Sequence, residues 1–129
     1  MIIEELADHL ETEGVGTVGD DIFIGELPLD VGNCMALLYS VSSEPNKSLD
    51  VYEQTIDFWV RNKSASAGYA LLKSAQEIFH RMGNYELDSY HVYFSNSLGS
   101  IEDNDRDTER RKLYKLAIRF IYRPFVLAS

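Results

Sequence analysis

Glu77 and His80 lie three residues apart on a helical stretch, the spacing with which di-iron carboxylate bundles take a glutamate and a histidine from one helix. Such a site needs a second motif of the same kind and two further glutamates from facing helices. This chain offers one motif and too few helices, so the pair reads as surface or helix-edge residues. Asp103, Asp105 and Asp107 have the opening rhythm of a calcium loop. The sixth position holds Thr108 where glycine is required and the twelfth holds Tyr114 where a bidentate glutamate is required. An exposed acidic loop is the simpler reading of 102–109, with a weak, water-rich Mg²⁺ site as the alternative.

Gly14-x-Gly16-x-x-Gly19 matches the dinucleotide-binding string. That motif works by placing a pyrophosphate at the N-terminus of a helix that follows a strand. Here a helix comes first and a strand second, and Asp20 and Asp21 would repel the phosphates, so the segment reads as a flexible link. For nucleophilic catalysis, Cys34 would need His9, His80 or His91 as its base, and no serine stands in a Gly-x-Ser-x-Gly elbow. Cys34 opens an apolar run, where burial disfavours a thiolate, and reads as a small core filler. Arg110, Arg111 and Lys112 form the only basic cluster. It reads as a solvated start to the last strand, with an acidic neighbouring subunit next and DNA phosphate last. An enzyme is the weaker class, and no cofactor is implied.

With 129 residues the chain is expected to form one domain, 1–129, large enough to bury roughly two thirds of the surface its unfolded form exposes. No stretch approaches the roughly 20 apolar residues of a membrane span. The start Met1-Ile2-Ile3-Glu4-Glu5 has acids where a signal peptide carries bases, and a single cysteine forms no internal disulfide, so use in a cytosol is expected. A net charge of −9 argues against general binding to nucleic-acid backbones. Residues 1–46 carry ten acids and no lysine or arginine, while seven of the twelve basic residues lie between Arg106 and Arg123. Such a gradient either becomes two faces of opposite sign or is two solvated surfaces.

The elements that would position these groups follow from periodicity. Ile3, Leu6, Ala7 and Leu10 repeat at helical spacing from Ile2 to about Glu13, and Gly14 stops the helix. Short strands are expected over Ile22–Gly25 and Cys34–Val41, the latter followed by a loop over Ser42–Ser48. Tyr52, Gln54, Ile56, Phe58 and Val60 share one face of a third strand, and Glu53, Thr55, Asp57 and Trp59 the other. Ser64 or Ser66 is placed to cap a long helix whose buried stripe is Tyr69, Leu72, Ala75, Phe79 and Met82, ended by Gly83-Asn84. Tyr90–Phe94 reads as a strand and Gly99–Glu109 as a linker. In the last strand, Leu113–Arg123, the even positions Tyr114 to Tyr122 pack on the long helix, while Lys115, Arg119 and Arg123 face the other way. Pro124 should end it, leaving Phe125-Val126-Leu127 as an apolar tail. The expected architecture is α+β: a mainly antiparallel sheet against one long and one short helix, in the order α-β-β-β-α-β-β.

This order, together with the acidic first helix, the strand Val51–Arg61 feeding the long helix and the ending Tyr122-Arg123-Pro124, resembles the tail terminator proteins of long-tailed bacteriophages, of the lambda-like type. Related minor capsid and head-tail joining components share the texture. The resemblance implies a structural virion protein at the head-tail junction, assembled in the host cytoplasm. It implies a homo-oligomeric ring, hexameric in the lambda-like case, that caps the tail tube protein, meets a head completion or connector protein, and lets DNA pass through its lumen without specific binding. On that reading Arg111, Lys115, Arg119 and Arg123 would meet Glu4, Asp8 and Glu11 of a neighbour. Asp20, Asp21, Asp103, Asp105 and Asp107 would lie on lumen or inter-ring loops. The rival is a small host ligand-binding or enzymatic α+β domain, with a pocket between sheet and long helix lined by Tyr39, Trp59, Tyr69 and His91.

Overall fold

A computed structural model describes residues 2–28, 31–40, 51–104 and 111–124. Helix α1 (Ile2–Thr12) buries Ile2, Ile3, Leu6, Ala7 and Leu10, and carries Glu4 and Glu5 in its first turn, where the helix dipole favours negative charge. It ends because Gly14 adopts a φ of 82°, letting the Gly14 N–H donate to the Glu11 carbonyl and the Val15 N–H to the Leu10 carbonyl. The predicted Gly14-to-Gly19 link thus leads from a helix into a strand.

The strands are β1 (Ile22–Ile24), β2 (Cys34–Tyr39) and β3 (Tyr52–Asn62), then, after helix α2 (Ala65–Phe79), β4 (Met82–Glu86), β5 (Tyr90–Ser97), β6 (Glu102–Asn104) and β7 (Lys112–Pro124). They form one sheet in the order β1-β2-β3-β7-β5-β4, with β6 beside β5 on the same flank of β7. Among the described strands, only β1 and β2 run parallel. The last strand is therefore central. β7 pairs along its whole length with β3, from Asn62↔Lys112 to Tyr52↔Tyr122, and on its other side with β5 and β6.

Alternation gives each long strand an inner and an outer face. Ile56, Phe58 and Val60 of β3 and Leu116, Ile118 and Phe120 of β7 are fully buried, in one core with Leu6 and Leu10 of α1 and Leu72, Ala75 and Phe79 of α2. Both helices therefore cover the same side of the sheet. Phe79 is its centre, tilted on Phe58 at 5.8 Å between ring centroids and edge-on to Phe120 at 5.3 Å.

The α+β class and the antiparallel-dominated sheet are as the sequence predicts, and the even-numbered faces of β3 and β7 are the buried ones. The long helix departs at its C-terminal end. It stops at Phe79, three residues before Met82, and Arg81 and Asn84 take positive φ values of 57° and 51° as the chain turns into β4. Met82, Gly83 and Asn84 thus belong to a strand, and Met82 and Tyr69, expected in the buried stripe, are 43% and 46% exposed. The expected linker Gly99–Glu109 contains β6. The loop over Ser42–Ser48, the strand end at Val41 and the apolar tail lie outside the described residues.

Two polar links fix the helix end. Tyr85 Oη donates to Ser95 Oγ at 2.9 Å, and Ser95 Oγ donates to the Phe79 carbonyl at 2.5 Å. Burial pushes the Tyr85 phenol up to about 12, against the opposing Ser95 bond. At the other end Ser64 Oγ accepts from the Ala67 N–H at 3.2 Å, so Ser64, not Ser66, is the cap. Ser64→Ala should cost about 1 kcal/mol, read as a lower urea midpoint with an unchanged slope.

Candidate functional site

Neither helix covers the outer face of the sheet. Across its centre run Leu38 of β2, Asp57 of β3 and Ala117 of β7, with Ala36, Trp59 and Lys115 in the next row. Further along, Arg119 stands opposite Thr55 and Asn96, and Ile121 opposite Glu53 and Phe94. Two of the cations expected to face a neighbour's acids, Lys115 and Arg119, have acids on their own sheet. Arg119 Nη1 lies 3.3 Å from Glu53 Oε1, and Lys115 Nζ lies 3.8 Å from Asp57 Oδ2 and 5.5 Å from the centre of the Trp59 ring. Lys112 pairs with Asp103 of β6. The register places Arg123 opposite His91.

Arg111 sits apart from this stripe. It is 6% exposed, with Nη1 3.3 Å from the Val31 carbonyl, and the buried Arg61 donates to the same carbonyl at 2.7 Å as well as to that of Pro28. Two guanidinium groups therefore hold the segment before β2 against the sheet. Cys34 lies beside them, 3.8 Å from Arg61 Nη2. Burial pushes its thiol up, and Arg61 and Arg111 pull it partly back, which leaves a protonated, shielded side chain.

The acids of α1 lie on the opposite side of the molecule from the outer sheet face. Glu4, Asp8 and Glu11 are exposed on the helix, and Glu11 Oε1 accepts from the Val18 N–H at 2.9 Å. Glu5 Oε1 accepts from the Ser89 N–H at 2.6 Å, and Glu5 and Asp8 border a shallow acidic cleft with Glu86 and Asp88. Asp20 and Asp21 are exposed in the turn before β1, where Asp21 Oδ1 accepts from the Thr17 N–H at 2.5 Å. Asp103 is exposed; Asp105 and Asp107 lie outside the described residues. The α1 ridge is thus acidic, although α2 adds an exposed Lys73 and Arg81 follows it, and on the outer sheet face Lys115 and Arg119 are matched by acids.

The other chemical candidates dissolve into structure. His80 ends α2, with its Nδ1 2.8 Å from Ser97 Oγ and accepting from the Ser97 N–H at 3.1 Å, while Glu77 is exposed. Among the described residues no group of three or more His, Cys, Asp or Glu side chains is placed to hold a metal ion, and no helix is long and apolar enough to cross a membrane. The four aromatics of the rival pocket do not converge: Trp59 and His91 lie on the outer face, Tyr39 on the inner, and Tyr69 is exposed on α2 with its ring on Tyr114. That pocket is not formed.

Asp57 marks how dry the outer face is. Burial pushes its carboxyl above the ordinary carboxylate value, and Lys115 offsets only part of that shift. An acid raised on folding stabilises the fold when protonated and subtracts from stability as pH rises above its unfolded value near 4. Asp57→Asn should therefore raise the thermal midpoint at pH 7, with an advantage that disappears below about pH 4. Melting curves across that range check the sign.

No curated protein matches the chain. The model of the bacteriophage tail terminator protein family matches residues 9–124, from within α1 to the end of β7. A match over nearly the whole fold shows the family: the chain belongs to the bacteriophage tail terminator proteins and is a structural component of a phage tail.

Proposed function

We propose that this subunit closes into a homo-oligomeric ring of six copies that caps the last ring of tail tube protein, stops its polymerisation and presents its other side to the head completion or connector protein. The observation that carries the reading is the outer sheet face, which neither α1 nor α2 covers. There Trp59 and Ile121 are half-buried, Phe94 is 37% exposed, and charges stand in matched pairs, the mixture of apolar anchors and satisfied polar groups typical of protein interfaces. A ring needs two different surfaces in contact, and the acidic α1 ridge of Glu4, Asp8 and Glu11 differs in character from the sheet face bearing Lys115, Arg119 and Arg123.

The mechanism is physical. Complementary surfaces set the closure angle, and the capped tube offers no further site for addition. Acids at Asp20, Asp21, Asp103, Asp105 and Asp107 on the lumen or the inter-ring loops would keep DNA from adhering, since like charges repel over a Debye length of roughly 8 Å. The particle is put together in the host cytoplasm and the subunit stays in the virion. Light scattering with negative-stain microscopy tests the ring. A strict monomer at every concentration, with no ring on added tail tubes, sinks the reading.

A further inference from the structure

Where β3 begins and β7 ends, the inner face of the sheet opens into an aromatic groove of about 460 Å³. Tyr39, Tyr52, Tyr90 and Tyr122 line it with Ile2 and Gln54, and Pro124 forms one wall. Tyr52 is stacked on Tyr122 with ring centroids 5.6 Å apart, and Tyr90 stands at 89° to the same ring at 5.4 Å. The groove therefore offers ring surfaces in two orientations, nearly at a right angle. Tyr122, the most buried of the four rings, is fixed by Tyr122 Oη donating to Gln54 Oε1 at 2.9 Å.

The charges that act on this groove are negative. Its lining includes no lysine or arginine, while the carboxylates of Glu5 and Glu4 act on Tyr90 and that of Glu4 on Tyr39. Both acids stand in the first turn of α1, where two full negative charges outweigh the roughly half positive charge of the helix N-terminus. Burial is the main cause that pushes the phenols of Tyr39, Tyr90 and Tyr122 up, and the neighbouring acids and phenols add to it. The tyrosines thus stay neutral at pH 7 and keep lone pairs for an N–H donor. A potential that opposes a phenolate favours a cation in the same place. Tyrosine faces attract cations through the ring quadrupole, more strongly where water is partly excluded. An ammonium is compact and strongly hydrated, whereas a guanidinium is planar, weakly hydrated and stacks on rings. Flat aromatic walls therefore select arginine over lysine, and Ile2 and Pro124 suit the methylene stem of such a side chain.

We propose that the tyrosine groove receives an arginine side chain of another tail protein, its guanidinium lying against Tyr52 and Tyr90 in the field of Glu4 and Glu5. The net charge of −9 favours a basic partner in the same sense. The assignment rests on the subunit meeting another tail protein, as proposed above, and does not depend on a ring of six.

The test uses the full chain, with N-acetyl-arginine amide as probe and its neutral citrulline counterpart as control. The arginine probe should shift the ring resonances of Tyr52 and Tyr90, assigned through Tyr52→Phe and Tyr90→Phe, and the citrulline compound should leave them in place. Glu4→Gln with Glu5→Gln should weaken the probe about threefold or more, and Tyr52→Leu should do so by a similar factor. Purified tail tubes then identify the source of the arginine. The variant Tyr52→Leu with Tyr90→Leu, its fold checked by circular dichroism, should self-associate as the parent does and bind tubes about tenfold more weakly. Excess arginine probe, and not the citrulline compound, should displace the parent from tubes, a readout that needs no variant to fold. A probe that shifts neither tyrosine, or a citrulline compound that shifts both equally, overturns cation recognition by the groove. A leucine variant that binds tubes as well as the parent overturns the tail partner, and one that loses self-association instead moves the arginine to a second copy of this chain. A parent that binds no tubes overturns the capping reading and the tail partner with it, while a probe that still shifts the tyrosines upholds the guanidinium site.

Discussion

Ile118→Asp is expected to leave a subunit that does not fold at 25 °C. Ile118 is fully buried in the central strand, opposite Ile56 on β3 and Ser97 on β5, and shares the core with Leu72 and Phe79 of α2. A carboxylate there has no cation of β7 beside it, because Lys115, Arg119 and Arg123 lie on the other face and Lys112 stands six residues along the strand, paired with Asp103. It would either stay charged against the core or take up a proton and remain a short polar group in place of a sec-butyl chain. Either way the cost is several kcal/mol, comparable to the 5 to 15 kcal/mol, roughly, that holds a small domain together. Because β7 pairs with β3, β5 and β6, its loss would not leave a partly folded sheet. Far-ultraviolet circular dichroism should show the collapse of the strand signal. Ile118→Val is the graded control, with a cost of about 0.5 to 1.5 kcal/mol and a cooperative transition preserved. A variant Ile118→Asp that melted at the parent's temperature would mean that this face of β7 is not the core.

That prediction can be written from the sequence because thirteen residues of alternating strand carry their own evidence: a shift of one residue would exchange every inner side chain for an outer one. The same holds for Tyr52–Asn62. Shorter elements lack that redundancy. β6, Glu102-Asp103-Asn104, is made of residues poor in strand propensity and exists because it pairs with Leu113, Tyr114 and Lys115. β4 follows directly on the helix, and Met82 fits the helical period as well as it fits a strand. Pairing of Met82 and Gly83 with Ser95 and Phe94 overrides that local pattern. In the functional surfaces, residue types are legible and distances are not. The sequence separates Arg119 from Glu53 by 66 positions, and only the β3–β7 register reveals that they are diagonal neighbours. Arg111 stands in a basic run that reads as solvated, yet it is drawn inside to the Val31 carbonyl, a contact with no periodic signature. The tyrosine groove is equally invisible, since Tyr39, Tyr52, Tyr90 and Tyr122 come from four strands and meet only at one end of the sheet.

Arg119→Glu is expected to abolish ring formation while leaving the subunit folded. Within the subunit the change sets a second carboxylate beside Glu53, in place of a pair 3.3 Å apart whose side chains are 38% and 48% exposed. Exposed pairs of this kind contribute about 0.2 to 1 kcal/mol, and a like-charge pair costs a similar amount, so the melting temperature should fall by only a few degrees. In the proposed ring the effect between subunits would be larger, because the contact would be repeated at every interface and each reversed charge would confront the acidic α1 ridge of the next copy. The double variant Glu53→Arg with Arg119→Glu separates the two contributions. It restores an ion pair inside the subunit but exchanges the positions of its charges on the outer face. If Arg119 acts through a neighbour, the double variant regains the parent's melting temperature and still fails to form rings or cap tubes. Should it regain both, Arg119 serves its own sheet alone and the outer face meets its neighbour through Trp59, Phe94 and Ile121. Thermal melts and a tube-capping assay on the same samples, repeated at low and high salt, distinguish these outcomes, because only a charged contact between subunits weakens as the Debye length shortens.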